Sequence, residues 1–346
     1  MAETMRAAVL KKVGEVVLEE RPVPAPGPGE VLVRIRTVGI CGSDVHYFVD
    51  GRIGHFVVEK PIVLGHECAG EVTELGEGVE GLAAGDRVAI EPGWPCGRCA
   101  YCKSGRYNLC PDVFFLATPP DDGAFCDYLV VPADFAFTLP QGMSFAQGAM
   151  MEPLAVGVHS VRRAGVTAGS SVVVTGAGPI GLLCMQAAGA FGATRLFISD
   201  VVEKRLGLAK EVGAEAAFNA QEADVVAEVT KATDGGVDFA FECAGAKTTV
   251  NDCIKMLRPG GTLTLVGMTA EETFPVNVHG LLAGELDVKT VFRYANCYPL
   301  AIELARTGRV QLEPLITHRF RLEETQAALE FAHEHKAEAI KVMVEL

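Results

Sequence analysis

Apolar and polar positions along the 346-residue chain follow two different rhythms, and the change falls near residue 153. Before it, short stretches alternate. In residues 30–36, Val31, Val33 and Ile35 interleave with a mostly polar set, Leu32, Arg34 and Arg36, as a half-buried strand requires. Residues 71–75, 86–90 and 126–131 read as further strands, and 22–29, rich in Pro and Gly, as an extended surface connection. The expectation is a β-rich, glycine-punctuated domain, a partly closed barrel.

Beyond Pro153 the apolar positions run together. Continuous apolar strands at 171–175, 195–200, 238–242 and 262–266 alternate with helical patterns at 179–191, 204–212 and 250–257. Such alternation predicts a parallel sheet covered on both faces, with 287–292 as its last strand. Helices at 300–306 and 323–333 and a strand at 339–344 follow. His333 and His335, flanked by charges near a helix end, read as solvated or capping residues. The span between Arg163 and Arg195 carries no charge, which by length alone suggests a membrane helix. Pro179, repeated glycines and the β-branched cluster Val172 to Val174 predict a buried strand, a tight turn and a buried helix instead.

Composition narrows the function classes. The length allows two domains, each with its own core. A formal net charge of −14 argues against nucleic acid and anionic membrane surfaces as partners. The first residues include Glu3 and no apolar run, so no targeting segment is expected. Eleven cysteines, an odd number, crowd four of their members between Cys96 and Cys110. That pattern points to a reducing, cytoplasmic compartment and to metal binding rather than disulfides.

Cys96, Cys99 and Cys102 are spaced as C-x-x-C-x-x-C, and Cys110 follows after seven residues. Four thiolates on one compact loop close a tetrahedral structural zinc, and Gly97 lets the backbone turn tightly. An iron–sulfur cluster is the rival, but its run ends on a three-residue spacing. Separately, Cys41, His66 and Glu67 supply a thiolate, an imidazole and a carboxylate. Three such ligands with a fourth position open describe a catalytic zinc.

Gly176, Gly178 and Gly181 form G-x-G-x-x-G between an apolar strand and a helix, the context that makes this fingerprint specific for a dinucleotide. The first glycine permits the turn, the second admits a pyrophosphate, the third lets helix and strand pack, and the helix N-terminus faces the phosphates. Asp200, at the end of the next strand, is placed to accept ribose hydroxyls and to disfavour a 2′-phosphate, which predicts NAD over NADP.

With these features together, the chain resembles the zinc-dependent medium-chain dehydrogenases, and among them the sorbitol (polyol) dehydrogenases. The resemblance runs over essentially the whole length. It is carried by Gly39-Ile-Cys-Gly-Ser-Asp-Val-His46-Tyr47, Gly51-Arg-Ile-Gly54, Leu64-Gly-His-Glu67, Gly105 to Leu109, Phe114 to Gly123, Glu152-Pro-Leu154, Gly176 to Gly181 and Val291-Phe-Arg-Tyr294. It implies an α/β fold: a GroES-like catalytic domain from residues 1–154 and 297–346, and a doubly wound Rossmann domain from 155–296. It implies that Cys41, His66 and Glu67 ligate the catalytic zinc. Where related alcohol dehydrogenases use a second Cys this chain has Glu152, which leaves direct ligation and ligation through water both open. Asp44 would orient His66, and Ser43 and His46 would relay the proton. Gly176, Gly178, Pro179, Ile180, Gly181, Asp200 and Arg205 would hold NAD, with Arg205 against the adenine. Tyr47, Thr118, Glu152, Arg293 and Tyr294 would receive polyol hydroxyls, with Phe115 as an apolar wall.

The implied reaction is oxidation of a linear polyol such as sorbitol or xylitol to a ketose, with hydride passing to NAD. Two zinc ions per chain and a homotetramer, in contact near residues 287–294, complete the expectation. Another zinc-dependent alcohol or threonine dehydrogenase remains an alternative. So does a nucleotide-binding protein without catalysis, although such a protein would not need Cys41, His66 and Glu67.

Overall fold

The computed structural model describes residues 3–269, 271 and 273–346. They form two compact units, one of residues 1–152 and 316–346, the other of 153–315.

The first unit is built on a seven-stranded sheet. Glu30–Gly39 lies at its centre, hydrogen-bonded antiparallel to Glu67–Leu75, to Tyr128–Pro132 and to the C-terminal strand Lys341–Glu345. The alternation read in residues 30–36 is the cause. Val31, Val33 and Ile35 are fully buried and Arg34 is exposed, so one face of the strand belongs to the core. Phe125, Leu10, Ile62 and Ile90 pack in the same core, against the N-terminal hairpin Thr4–Lys12 and Glu15–Pro22. That hairpin and the helix Gly42–Asp50 are not apparent from apolar spacing.

The second unit holds a six-stranded, wholly parallel sheet. Its order is Ala216–Asn219, Arg195–Asp200, Ser171–Thr175, Val237–Glu242, Leu257–Leu265, Asp287–Thr290. The chain moves outward in one direction, returns to the middle and moves outward in the other, which is the doubly wound arrangement with its switch point beside Ser171–Thr175. The uncharged span resolves as that strand, a turn and the helix Pro179–Ala190, buried along most of its length. Among the described residues no helix is long and apolar enough to cross a membrane.

One boundary moves. Residues 297–315, expected with the first unit, cluster with the second. Gln186, on the glycine-rich loop's helix, donates to the Gln311 carbonyl at 3.1 Å and accepts from the Gln311 amide at 2.7 Å, which ties this segment to the parallel-sheet unit.

Candidate active site

In the first unit, three neighbouring strands bring the metal-type residues together. Glu30–Gly39 ends at the residue before Ile40 and Cys41, and its Gly39 pairs with Glu67 on one side and Met343 on the other. The turn carrying Gly65 and His66 leads into Glu67. The ligand atoms of Cys41, His66 and Glu67 all lie within 4.8 Å of one another. A thiol, an imidazole and a carboxylate at that separation fit one zinc ion with a position left for water or substrate.

Cys41 is the N-cap residue of the helix Gly42–Asp50, in extended backbone conformation. Asp44, wholly buried, organises the turn: it accepts from the Cys41 amide and from the Gly65 amide, both at 2.9 Å. Its Oδ1 stands 3.7 Å from His66 Nδ1, a charge contact rather than a hydrogen bond. Burial opposes a charge on His66, but Asp44 and Cys41 outweigh it and hold the imidazole well above its usual range. A metal therefore has to displace a proton here. The Phe115 ring lies 5.7 Å from the His66 ring.

One participant went unnoticed in the sequence. Lys341, first residue of the C-terminal strand and fully buried, places its Nζ 2.7 and 2.6 Å from the two Glu67 carboxylate oxygens and 3.2 Å from the Ile40 carbonyl. Burial opposes its charge, yet Glu67, Cys41 and Glu152 outweigh that and raise its pKa. A single lysine in a predicted strand, hundreds of residues from the ligands, carries no motif by which to find it. Glu91 is a second omission. It is buried, accepts from the Tyr107 hydroxyl at 2.7 Å, and has its carboxyl pushed up to about 7 by burial, with Tyr107 opposing and Glu152 adding.

The remaining expected residues divide. Glu152 is buried in the first turn of the helix Met151–Ala164 and acts electrostatically on Lys341 and Glu91, but its carboxylate is outside the 4.8 Å group. Ser43 is half-buried on the helix after Cys41, and His46 on the same helix is exposed, with Nδ1 3.1 Å from Asp50. Tyr47 is buried and Thr118 half-buried, where it takes part in a turn through the Phe115 carbonyl. Arg293 and Tyr294 belong to the second unit. Arg293 has a positive φ of 52° and its guanidinium lies 5.0 Å over the Phe292 ring, while Tyr294 is buried 5.9 Å from the Tyr298 ring.

The four remaining metal-type cysteines also converge. The ligand sulfurs of Cys96, Cys99, Cys102 and Cys110 lie within 4.8 Å of one another, with Cys99 and Cys102 at 3.4 Å. Backbone N–H groups of Arg98 and Cys99 pull the Cys96 thiol down to about 6, whereas burial and hydrogen bonds with Cys99 and Cys110 push Cys102 up to about 12. Four sulfurs this close suit a tetrahedral cation, which binds them as thiolates. All four are free cysteines.

In the second unit the fingerprint has the geometry its chemistry needs. Gly176 has φ 90°, and a Cβ there would stand 2.8 Å from the Ala244 amide nitrogen. A Cβ on Gly181 would overlap the Gly176 carbonyl, so the third glycine is what lets helix and turn meet. Pro179 opens the helix at its first position, followed by half-buried Ile180. Asp200 ends its strand and accepts from the Ala177, Val201 and Val202 amides at 2.7, 2.8 and 2.9 Å. Beyond the expected ribose role, it therefore holds the glycine-rich turn in shape. Arg205 Nη1 lies 3.8 Å from Asp200, and a Cβ on Gly178 would stand 4.0 Å from the same nitrogen, which places the guanidinium beside the fingerprint.

Comparison with known proteins agrees with this arrangement. Residues 27–141 match the alcohol dehydrogenase GroES-like domain, and residues 179–307 match the zinc-binding dehydrogenase domain. A sorbitol dehydrogenase of Bacillus subtilis (strain 168) is 46% identical over 343 residues, 99% of this chain and 97% of that one. The solved structure of an Escherichia coli oxidoreductase of unknown specificity superposes with TM-score 0.95 at 39% identity, covering 99% of each chain. L-idonate 5-dehydrogenase from Escherichia coli superposes with TM-score 0.93 at 32% identity, over 100% of this chain and 99% of that one.

Proposed function

The chain belongs to the sorbitol dehydrogenase family of zinc-dependent medium-chain dehydrogenases, and from that premise we propose that it oxidises a linear polyol to a ketose with NAD as hydride acceptor. The observation that carries this reading is the convergence of Cys41, His66 and Glu67 in a chain that also folds a complete dinucleotide fingerprint.

Cys41, His66 and Glu67 would hold the catalytic zinc, and Cys96, Cys99, Cys102 and Cys110 a structural one. Zinc supplies Lewis acidity toward the substrate hydroxyl, and the nicotinamide supplies the hydride acceptor. The protein's own groups do the rest. Ser43 accepts the hydroxyl proton, and His46, exposed beside Asp50, delivers it to solvent. Glu152 acts through water, consistent with its place outside the ligand group. Asp44 orients His66 and fixes the turn. Gly176, Gly178, Pro179, Ile180 and Gly181 cradle the pyrophosphate, Asp200 the adenosine ribose, and Arg205 the adenine.

A polyol brings several hydroxyls, and each loses water at a cost unless a polar group receives it. Tyr47, Thr118, Glu152, Arg293 and Tyr294 serve that purpose, with Phe115 as the apolar wall. The unit of residues 1–152 and 316–346 is the catalytic domain, and that of 153–315 the cofactor domain. The active form is a cytoplasmic homotetramer. Support for association comes from Val278, Leu282, Val288 and Phe292, large apolar side chains exposed on or beside the edge strand Asp287–Thr290.

The test compares kcat/KM for xylitol and 2-propanol with NAD⁺, in the unaltered protein and in Arg293→Ala. The polyol should lose roughly 1–3 kcal/mol of transition-state binding and the simple alcohol much less. Equal losses remove Arg293 from the substrate site. Better turnover of simple alcohols or threonine than of any polyol overturns the substrate class.

A further inference from the structure

Lys341 lies 274 positions from Glu67 in sequence, yet it is the charged partner of that carboxylate. An ammonium has three N–H donors. All three are used: one on each Glu67 oxygen and one on the Ile40 carbonyl. The strand pairing around it needs no cation. Ile40 N donates to the Val342 carbonyl at 2.9 Å, and Met343 pairs with Gly39, all through backbone. What needs a cation is the Glu67 carboxylate, which is buried, and a buried charge with no counter-charge is strongly unfavourable.

A carboxylate offers about four lone-pair positions over its two oxygens, and Lys341 occupies one on each. The rest remain available toward Cys41 and His66, whose ligand atoms lie within 4.8 Å. Glu67 can therefore serve a lysine and a metal in turn or together.

We infer that Lys341 is a resident counter-cation and positioning residue, which keeps Glu67 and the Ile40–Cys41 turn in ligating positions while the metal is absent and yields part of the carboxylate when zinc enters. This rests on Cys41, His66 and Glu67 being the catalytic metal site. It has a consequence of unusual sign. A residue that favours the metal-free fold more than the metal-bound one weakens metal binding, because the two equilibria are linked. Removing Lys341 should therefore destabilise the protein and tighten its zinc.

The experiment uses the full-length protein with both zinc ions and the same protein dialysed against a chelator until one ion per chain remains. In Lys341→Met, Tm should fall further in the one-zinc form than in the two-zinc form. Its zinc dissociation constant, from competition with a chromophoric chelator, should drop by roughly tenfold. Equal Tm losses with unchanged zinc affinity would mean an ordinary buried ion pair and overturn the inference; so would weaker zinc binding. In Lys341→Met/Glu67→Gln the orphaned carboxylate is gone, so one-zinc stability should recover, and failure to recover counts against the role.

Should Lys341→Met not fold, amide hydrogen exchange in the unaltered protein decides. The Ile40 and Cys41 amides should stay equally protected with one or two zinc ions, and opening on zinc loss overturns the inference. If the unaltered protein never holds more than one zinc, or His66→Ala leaves the zinc content unchanged, the metal-site reading itself falls. A protein that holds two zinc ions but ignores residue 341 defeats only the lysine's role.

Discussion

Gly39 and Glu67 face each other across paired strands with no space between them. A Cβ built on Gly39 would overlap Oε2 of Glu67 and stand 3.3 Å from the Glu67 Cβ and Cδ. The glycine is thus required by a neighbour's side chain rather than by its own backbone. Gly39→Ala should push the carboxylate off Lys341 and out of line with Cys41 and His66. The expected result is a loss of roughly 10–100-fold in zinc affinity with the circular dichroism spectrum intact. Chelator competition measures it, and unchanged affinity would show that Glu67 is not needed for the metal.

The two cysteine-containing sites should fail in different ways. Cys99→Ser opens the four-sulfur lobe, so it should lower Tm or solubility more than it slows the chemical step. His66→Ala should abolish turnover and leave a folded chain. Metal analysis beside thermal melts separates the two, and an iron chromophore in the unaltered protein would refute the zinc assignment at the four cysteines.

Asp200 carries two duties, and two substitutions pull them apart. Asp200→Ala removes both the negative charge and the acceptor for the Ala177 amide, so it should lose Tm and weaken NAD⁺ by roughly 1–3 kcal/mol. Asp200→Asn keeps an oxygen for that amide and loses the charge. It should hold the stability while narrowing the preference for NAD⁺ over NADP⁺. Kinetics favouring NADP⁺ in the unaltered protein would remove Asp200 as the discriminating residue.

Glu91 should make stability depend on pH around neutrality. Its carboxyl is raised from an ordinary 4.5 to about 7, burial being the main cause. The folded protein thus binds this proton more tightly than the unfolded chain does. The associated stability is fully present below about 4.5 and is lost as pH rises through about 7. Glu91→Gln removes the titration, so relative to the unaltered protein it should gain stability between about pH 5 and pH 8, up to roughly 3 kcal/mol. Denaturant midpoints across that range test it, and parallel curves for both proteins would show that Glu91 does not titrate there.

What the sequence made legible was chemistry that repeats locally. Cys96 to Cys110 and Gly176 to Gly181 each sit within one loop or one turn, so spacing alone fixes what they can build. The apolar runs at 171–175 and 195–200 matched strands Ser171–Thr175 and Arg195–Asp200 because strands buried on both faces leave little room for polar residues. The short edge strand Ala216–Asn219, half-buried throughout, has no such signature and was not anticipated. Lys341 and Glu91 escaped for another reason. Their roles arise from burial beside other charges, and burial of a lone lysine or glutamate is set by tertiary contacts between distant segments.

The place of strand Lys341–Glu345 also orders events during synthesis. It is inserted between Glu30–Gly39 and Ile316–Arg321, so the central strand of the first unit gains that neighbour only after the whole second unit has been translated. Residues 153–315 are contiguous and can complete their sheet without waiting. The first unit emerges early with only residues 37–39 of its central strand unpaired on one side, beside the stretch that Tyr128–Pro132 already covers, and that short edge is sealed last. The strand that closes that edge is the one that delivers the lysine to Glu67, so completion of the fold and neutralisation of the Glu67 carboxylate are the same event.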